Sequence, residues 1–282
     1  MSRIAYVNGL YLSHLEAAVH IDDRGFQFSD GVYEVISVNS GKLVDLDLHL
    51  HRLEYSLNQL NIDMPISGGS LVIVINEVLR RNHVKSGIIY LQITRGQAQR
   101  NHSYPKGLKP TLVITARNFS LSPKTLREKG VSVITTTDLR WKRCDIKSIS
   151  LLPNILAKQL AVENNAFEAW LVNEEGVITE GSSSNAWILG DNNNLITHKL
   201  DQSILPGVTR TTIINLCNRL NIKVDESTFT VDDAKKSREA FVTSSTAFIL
   251  PVVSIDGSLI GDGKPGPVFQ KLDSEYRNYL SN

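Results

Sequence analysis

The first 117 residues contain two hairpin signals, then two helical segments, then two further strands, and this order constrains the fold more than any other feature. The run IAYVNGLYLS contains Asn8-Gly9, which suits a tight hairpin because both positions tolerate positive φ. A second β pair is predicted around Asn39-Ser40-Gly41. The segment DLDLHLHRLEYSLNQL places its leucines on one helical stripe, and GGSLVIVINEVLRRN predicts a second helix before two further strands. We therefore expect a small α+β domain over residues 1–117.

The dipeptide Ser122-Pro123 interrupts this pattern and predicts a linker over residues 118–125. Beyond it we expect a strand over Val131–Thr137, a helix over residues 151–163, and then a mixture of short strands and helices. Residues 126–282 are therefore predicted to form a larger mixed α/β domain. A cleft between two such domains is the expected place for a ligand.

Composition excludes several classes of partner. The chain has 282 residues with 30 basic and 29 acidic side chains, so its net charge of +1 does not favour nucleic acid. No apolar run reaches the ~20 residues that span a bilayer, and the N-terminal residues lack the layout of a signal peptide. Two cysteines without CxxC spacing are typical of a reducing compartment. We expect a cytoplasmic protein without membrane or nucleic-acid partners.

The stretch RCDIKSIS places Lys147 between a predicted strand and a predicted helix. Most lysines are solvated surface residues, and on this stretch alone the surface reading is favoured. A lysine in a pocket would instead be a nucleophile that can form an imine, because burial lowers its pKa. Other stretches are needed to decide between the two.

The stretch VITEGSSSNAW ends a short predicted strand with Glu180 and follows it with three serines. A polar turn is the plain interpretation. The functional one is a carboxylate that keeps the ring nitrogen of a pyridine protonated, with hydroxyls that bind the edge of the same cofactor.

Three further stretches indicate a phosphate site. Val208 and Thr209 begin a helix after Pro206-Gly207, and free N–H groups at a helix start attract anions. Ser244 and Ser245 end a predicted strand, and Arg52 can bind phosphate through two parallel hydrogen bonds. A plain capped helix is the alternative for the first of these. His49 and His51 lie two apart on a helix and do not share a face, so no metal site is predicted.

This combination is typical of a pyridoxal 5′-phosphate site: a lysine, a carboxylate, a run of serines and a set of candidate phosphate ligands. In order and spacing, the stretches GFQFSDGVYEV, HLHRL, RCDIKS, TEGSSSN, PGVTR and FVTSS resemble the fold-type IV pyridoxal-phosphate enzymes over essentially the whole chain. That family includes D-amino-acid aminotransferases, branched-chain aminotransferases and aminodeoxychorismate lyases. The resemblance implies a two-domain α+β and α/β architecture with the cofactor in the interdomain cleft, and a homodimer.

The resemblance also assigns roles to residues. It implies that Lys147 holds the cofactor as a Schiff base and moves the proton, and that Glu180 pairs with the pyridine nitrogen. It assigns Tyr33 to the substrate side of the site. The phosphate ligands that it implies are Arg52, Val208, Thr209, Ser244 and Ser245.

Arg100 and His102 lie two apart in TRGQAQRNHSYP, so in an extended segment they project to the same side. A guanidinium and an imidazole can grip a carboxylate by charge-assisted hydrogen bonds. In an unknown protein the pair would be two solvated loop residues. Here it matches the carboxylate trap of the D-amino-acid aminotransferases, the members that this chain resembles most.

The expected activity is transamination of a D-amino acid with a 2-oxo acid, by a ping-pong reaction through a pyridoxamine form. D-Alanine and 2-oxoglutarate giving pyruvate and D-glutamate is the expected pair. A branched-chain L-amino-acid aminotransferase, an aminodeoxychorismate lyase and a non-catalytic relative are the alternatives. Phe248 departs from the resemblance, because D-amino-acid aminotransferases carry a glutamate there, and this leaves the preferred side chain open.

Overall fold

A computed structural model describes residues 3–281 of the chain. The described residues divide into two compact units. The first takes the chain up to Leu121 together with Ile146–Ser150, and the second takes Ser122–Asp145 and the chain from Leu151 onward.

The first unit is a six-stranded antiparallel sheet with three helices, and its strands lie in the order β2-β1-β6-β5-β3-β4. Its strands are β1 (Ile4–Val7), β2 (Leu10–Ser13), β3 (Gly31–Asn39), β4 (Lys42–Leu43), β5 (Gly87–Thr94) and β6 (Thr111–Asn118). Its helices are α1 (Arg24–Phe28), α2 (Leu46–Gln59) and α3 (Gly68–Asn82).

Both predicted hairpins are confirmed. Asn8 and Gly9 have φ of 46° and 99°, and they connect β1 to β2 with Val7 opposite Leu10. In the second hairpin Ser40 and Gly41 also have positive φ, and they join β3 to β4. Asparagine, serine and glycine at these corners therefore supply the left-handed backbone that the turns need.

The core of the first unit forms where α2 and α3 pack on the sheet. The leucine stripe of α2 is confirmed, because Leu53 and Leu57 are buried and Leu50 and Leu60 pack against the same cluster. Apolar side chains of α3 and of the three long strands complete the core, and they include Leu71, Ile75, Val78, Ile36, Ile89, Leu91 and Ile114. The apolar periodicity of the two helices thus identifies the faces that they bury.

The second unit is built on a nine-stranded mixed sheet with the order β12-β11-β10-β13-β14-β7-β8-β9, and β15 pairs with β14. Its strands are β7 (Val131–Thr137), β8 (Glu168–Val172), β9 (Ile178–Gly181), β10 (Asn185–Leu189), β11 (Leu195–Thr197), β12 (Val224–Glu226), β13 (Ala240–Ser244), β14 (Phe248–Ile255) and β15 (Ser258–Leu259). Its helices are α4 (Lys124–Lys129), α5 (Leu152–Glu163), α6 (Val208–Arg219), α7 (Val231–Lys236) and α8 (Pro267–Ser281).

Two tryptophans anchor the core of the second unit. Trp170 on β8 is fully buried beside Ile178 and Val242. Trp187 on β10 stacks on Phe241 with ring centroids 5.4 Å apart. Large aromatic side chains contribute more buried apolar area than any other residue type, so these strands form a rigid support for the turns that follow them.

The segment that carries Lys147 groups with the first unit although the chain on both sides of it belongs to the second. Its backbone extends the sheet along the open edge of β3, where Val32 bridges Ser148. The Tyr33 N–H donates to the Lys147 carbonyl at 3.0 Å, and the Ile149 N–H donates to the Gly31 carbonyl at 3.1 Å. The predicted linker at 118–125 and the domain ranges on either side of it stay a prediction.

No helix within residues 3–281 combines the length and the apolar character that crossing a bilayer requires. Both cysteines, Cys144 and Cys217, are buried as free thiols.

Candidate active site

Lys147 lies against an aromatic pair on the first unit. Its Nζ is 4.2 Å from the centroid of the Tyr33 ring, and Tyr33 stacks on Tyr90 with centroids 5.9 Å apart. The backbone N–H of Lys147 donates to the Ser56 hydroxyl of α2 at 3.1 Å. Lys147 is therefore fixed at the edge of β3 in three ways. Its N–H donates to Ser56, its carbonyl accepts from the Tyr33 N–H, and its half-buried side chain lies on the Tyr33 ring.

Arg52 on α2 forms a two-pronged ion pair with Glu34 on β3. Nε of Arg52 donates to Oε1 of Glu34 and Nη2 donates to Oε2, both at 2.8 Å. Nδ1 of His49 lies 2.6 Å from the same carboxylate. All three side chains are buried, so each charge is compensated inside the protein.

This ion cluster controls two pKa values. Burial alone would raise the pKa of Glu34, but the Arg52 charge and the hydrogen bonds from Arg52 and His49 lower it to about 2. Burial also lowers the pKa of His49 below its ordinary value, against the pull of Glu34. A neutral His49 with its proton on Nδ1 satisfies the hydrogen bond to Glu34.

Glu180 is the second-last residue of β9 in the second unit, and its buried carboxylate has three kinds of donor. Arg140 forms an ion pair with Oε1, the Asn185 amide donates to Oε2 at 2.9 Å, and the Leu205 N–H lies 3.1 Å from both oxygens. Arg140 is held in turn by Asp138 at 2.8 Å. Burial raises the pKa of Glu180, although Arg140 opposes the shift.

The hydroxyls of the serine run after β9 are directed at a buried carboxylate. The hydroxyls of Ser182, Ser183 and Ser184 all donate to Glu168 on β8, which is fully buried. A buried carboxylate needs such donors, and the tight turn after β9 brings three of them to it. The expectation that these hydroxyls bind a cofactor edge stays a prediction.

Helix α6 begins at Val208, with Thr209 next, and both residues are buried. Its N-cap residue is Gly207, where a Cβ would lie 1.9 Å from the Asn185 side-chain oxygen. Any larger residue would displace the Asn185 amide, and glycine leaves the helix start without a capping side chain. Because Asn185 also bonds Glu180, the structure places the predicted ring-nitrogen partner beside the predicted phosphate site.

Ser244 ends β13 and Ser245 begins the turn after it, so the predicted strand end is confirmed. The Ser244 hydroxyl accepts from the Ala247 N–H at 3.2 Å, so it orders the turn into β14. Phe248 begins β14 with φ of 56° and packs on Tyr276 with centroids 5.3 Å apart. A phenylalanine in the left-handed region is an outlier that the surrounding packing must hold in place.

Arg100 and His102 are both exposed on the loop after β5. The Arg100 guanidinium lies 4.9 Å from the centroid of the Phe28 ring, and the His102 ring lies 5.5 Å from it. The structure therefore gathers the predicted pair around one aromatic ring of α1.

The two histidines of α2 have different surroundings, because His49 is buried on Glu34 while His51 is exposed. Within residues 3–281, no group of three or more His, Cys, Asp or Glu side chains is placed to hold a metal ion.

Each unit by itself carries groups that suit a phosphorylated pyridine cofactor. In the second unit the start of α6, which lacks a capping side chain, suits a phosphate, and the buried Glu180 suits a ring nitrogen. In the first unit the half-buried Lys147 suits an imine. Sequence reasoning missed Glu34, His49, Arg140 and Glu168 as partners. Their only signal in the sequence is a charged residue within a strand-like or core-like run, which most often must be paired.

A family model described as amino-transferase class IV matches residues 31–255. This chain belongs to the class IV aminotransferase family. It is 42% identical to the D-alanine aminotransferase of Bacillus licheniformis over 97% of this chain and 95% of that protein. It is 40% identical to the D-alanine aminotransferase of Staphylococcus aureus (strain N315) over 98% of each chain.

Among solved structures, the chain is similar to the T.th. branched-chain amino acid aminotransferase complexed with N-(5′-phosphopyridoxyl)-L-glutamate. The TM-score is 0.91 at 26% identity, covering 99% of this chain and 94% of that one. The predicted fold class, a two-domain α+β architecture of the fold-type IV kind, is confirmed. The roles predicted for individual site residues stay predictions.

We expect Glu34→Gln to destabilise the protein by about 3 kcal/mol at neutral pH, since it leaves Arg52 buried without a counter-charge. The stabilisation by Glu34 is fully present above its ordinary pKa of 4.5 and is lost as pH falls toward its folded pKa of about 2. Urea titrations should therefore show the difference between wild type and variant shrinking from pH 5 to pH 3.

The matched control is Glu77→Gln on α3, because Glu77 pairs with Arg80 and Arg81 in contact with solvent. That substitution should cost far less. Equal losses in the two variants, or a difference that does not depend on pH, would contradict the stabilising role of the buried cluster.

Proposed function

We propose that this class IV aminotransferase transfers the amino group between a D-amino acid and a 2-oxo acid, with pyridoxal 5′-phosphate as cofactor. D-Alanine and 2-oxoglutarate are the proposed pair. The observation that carries the proposal is the identity of about 40%, over nearly the whole of both chains, to relatives that are D-alanine aminotransferases.

Pyridoxal phosphate, when bound, supplies an electron sink that stabilises negative charge on the substrate Cα. We assign Lys147 as the residue that binds it covalently and moves the proton. We assign the phosphate to Arg52, Val208, Thr209, Ser244 and Ser245, and the ring nitrogen to Glu180.

Glu180 serves by holding a negative charge at a fixed place. Arg140 and the Leu205 N–H keep the carboxylate oriented, so no reorganisation is needed when positive charge develops beside it. Preorganised groups of this kind provide the largest electrostatic contribution in most enzymes.

The contact between Lys147 and Tyr33 supports the proton-transfer role that we assign to Lys147. The lysine ammonium lies on the face of the tyrosine ring, a contact that restricts the amine to one side of β3. We assign Tyr33 to the substrate side of the site for this reason.

Arg100 and His102 are proposed to bind the substrate α-carboxylate. The labile bond at Cα must stand perpendicular to the cofactor ring, so the position of the carboxylate grip determines which enantiomer presents its hydrogen to the lysine. Moving the grip to the other side would exchange carboxylate and side chain and invert the accepted enantiomer. Phe248, packed on Tyr276, stands where the resemblance to D-amino-acid aminotransferases implies a glutamate.

Two other reactions fit the same fold. Similarity to a branched-chain amino acid aminotransferase makes L-leucine and L-valine the competing substrates. An aminodeoxychorismate lyase would release pyruvate without any amino acceptor, so its activity would not depend on 2-oxoglutarate.

The function is tested with a panel of D- and L-amino acids assayed with and without 2-oxoglutarate. We expect pyruvate from D-alanine only when 2-oxoglutarate is present, and no activity on L-leucine or L-valine. Lys147→Ala should abolish turnover and the covalent cofactor absorbance. Activity on the L-amino acids alone would establish the branched-chain reaction instead, and pyruvate released from aminodeoxychorismate without 2-oxoglutarate would establish the lyase.

Glu180→Gln keeps the size of the side chain but removes its charge. We expect kcat to fall about 10²- to 10³-fold, the usual effect of removing one preorganised electrostatic contact, with cofactor content retained. The matched control is Glu175→Gln, an exposed glutamate in the turn between β8 and β9. A kcat equal to that of the control would rule out the proposed role of Glu180.

We further propose a cytoplasmic homodimer. Helix α5 supports it, because Leu152, Ile155 and Leu156 form an apolar stripe with 67%, 58% and 58% of their surfaces exposed. Such a stripe indicates an interaction surface, and a second copy of the chain is the proposed occupant.

Light scattering should report a dimer for the wild type and a monomer for Ile155→Glu combined with Leu156→Glu. The control is Ile73→Glu, at an isoleucine on α3 that is even more exposed than Ile155, and this variant should stay dimeric. A wild-type monomer, or a dimer that the double variant leaves intact, would contradict this interface.

A further inference from the structure

The loop that carries Arg100 and His102 is attached to α1 through its backbone. Arg24 at the start of α1 donates from Nη1 to the Asn101 carbonyl at 2.7 Å and from Nη2 to the His102 carbonyl at 3.2 Å. Because one guanidinium holds two successive carbonyls, it fixes the peptide plane between the two side chains proposed to bind the carboxylate.

The side chains of the pair rest on the other end of the same short helix. Phe28 presents its ring to the Arg100 guanidinium at 4.9 Å and to the His102 ring at 5.5 Å. The Arg24 guanidinium contacts the same ring at 4.8 Å. Arg100 and His102 are exposed, so without Phe28 their rotamers would be largely unrestricted.

Arg24 is itself immobilised by a buried ion cluster. Its Nε donates to Oδ2 of Asp30 at 2.8 Å, and Nε of Arg95 donates to the same oxygen at 2.8 Å. Arg95 also holds the Asn61 carbonyl after α2 at 3.0 Å and stacks on Tyr104, 3.7 Å from the ring centroid. Tyr104 lies on the same loop, two residues after His102, so the loop contacts this cluster on both sides of the Arg100–His102 pair.

We propose that Arg24 and Phe28 are positioning residues that act through Arg100 and His102 to fix where the substrate α-carboxylate binds. This inference rests on the proposed function of that pair. A grip that is ordered before binding loses less conformational entropy when the substrate arrives, and a misplacement of about 1 Å can cost 10²-fold in rate. Arg24 and Phe28 do not contact the reacting atoms in this assignment.

Two variants test the two attachments separately. Arg24→Met removes the guanidinium and keeps the stem, and Phe28→Leu removes the ring while keeping the Arg24–Asp30 pair. The matched control is Arg81→Met, since Arg81 on α3 also stacks on an aromatic ring, that of Tyr11, at 4.2 Å. Amide hydrogen exchange of the holoenzyme without substrate should become faster over residues 97–104 in Arg24→Met and stay unchanged in Arg81→Met.

Steady-state kinetics supplies the second readout. We expect KM for D-alanine and for 2-oxoglutarate to rise together by about 10- to 100-fold in Arg24→Met and Phe28→Leu, with a much smaller change in kcat. In an Arg100→Ala background, Arg24→Met should add little, because residues that act through one another are not additive. A merely structural role would lower stability and give additive effects.

The outcomes separate this inference from the proposed function. If Arg100→Ala raises KM while both Arg24→Met and Phe28→Leu leave it at the wild-type value, the positioning role is overturned and the carboxylate grip stands. If neither Arg100→Ala nor His102→Ala raises KM, the grip fails and the positioning role fails with it. If Arg24→Met does not fold, Phe28→Leu decides by its KM values and by its coupling to Arg100→Ala.

Discussion

The buried carboxylate of Glu34 is the constraint on which the first unit depends. An ion on the inner face of a sheet must be compensated inside the protein, and α2 compensates it with Arg52 and His49. This pairing fixes the rotation of α2 on β3, and α2 then presents Ser56 to the backbone of Lys147. The need to compensate Glu34 therefore determines both the orientation of Arg52 and the position of Lys147.

The second unit solves the same problem of burying a carboxylate in two other ways. Glu180 is held by a cation and by backbone and amide N–H groups, whereas Glu168 is held mainly by the three serine hydroxyls. Glu180 precedes the tight turn after β9, and the serines of that turn donate to Glu168 on β8. This one turn therefore connects the hydrogen-bond network of Glu180 to that of Glu168. The orientation of the Glu180 carboxylate is thus fixed by contacts within the protein, which is what electrostatic preorganisation requires.

Local features were predictable from the sequence, whereas partnerships between distant residues were not. The hairpin at Asn8-Gly9 and the leucine stripe of α2 follow from turn chemistry and helical period. The pairing of Glu34 with Arg52 depends on how α2 packs on the sheet, and that of Ser182 with Glu168 on a turn closing over β8. Periodicity shows that a side chain is buried, but only the register of the strands decides which partner it meets.

The position of Lys147 on the first unit has a consequence for synthesis of the protein. Ile146 belongs to the core of that unit, and Ser148 pairs with the edge of β3. A ribosome that has released only the first 121 residues has therefore produced a unit with an open strand edge and an unfilled place in its core. Residues 146–150, which close that edge, are synthesised only after β7. Lys147 therefore reaches its place on β3 in the same step that completes the first unit.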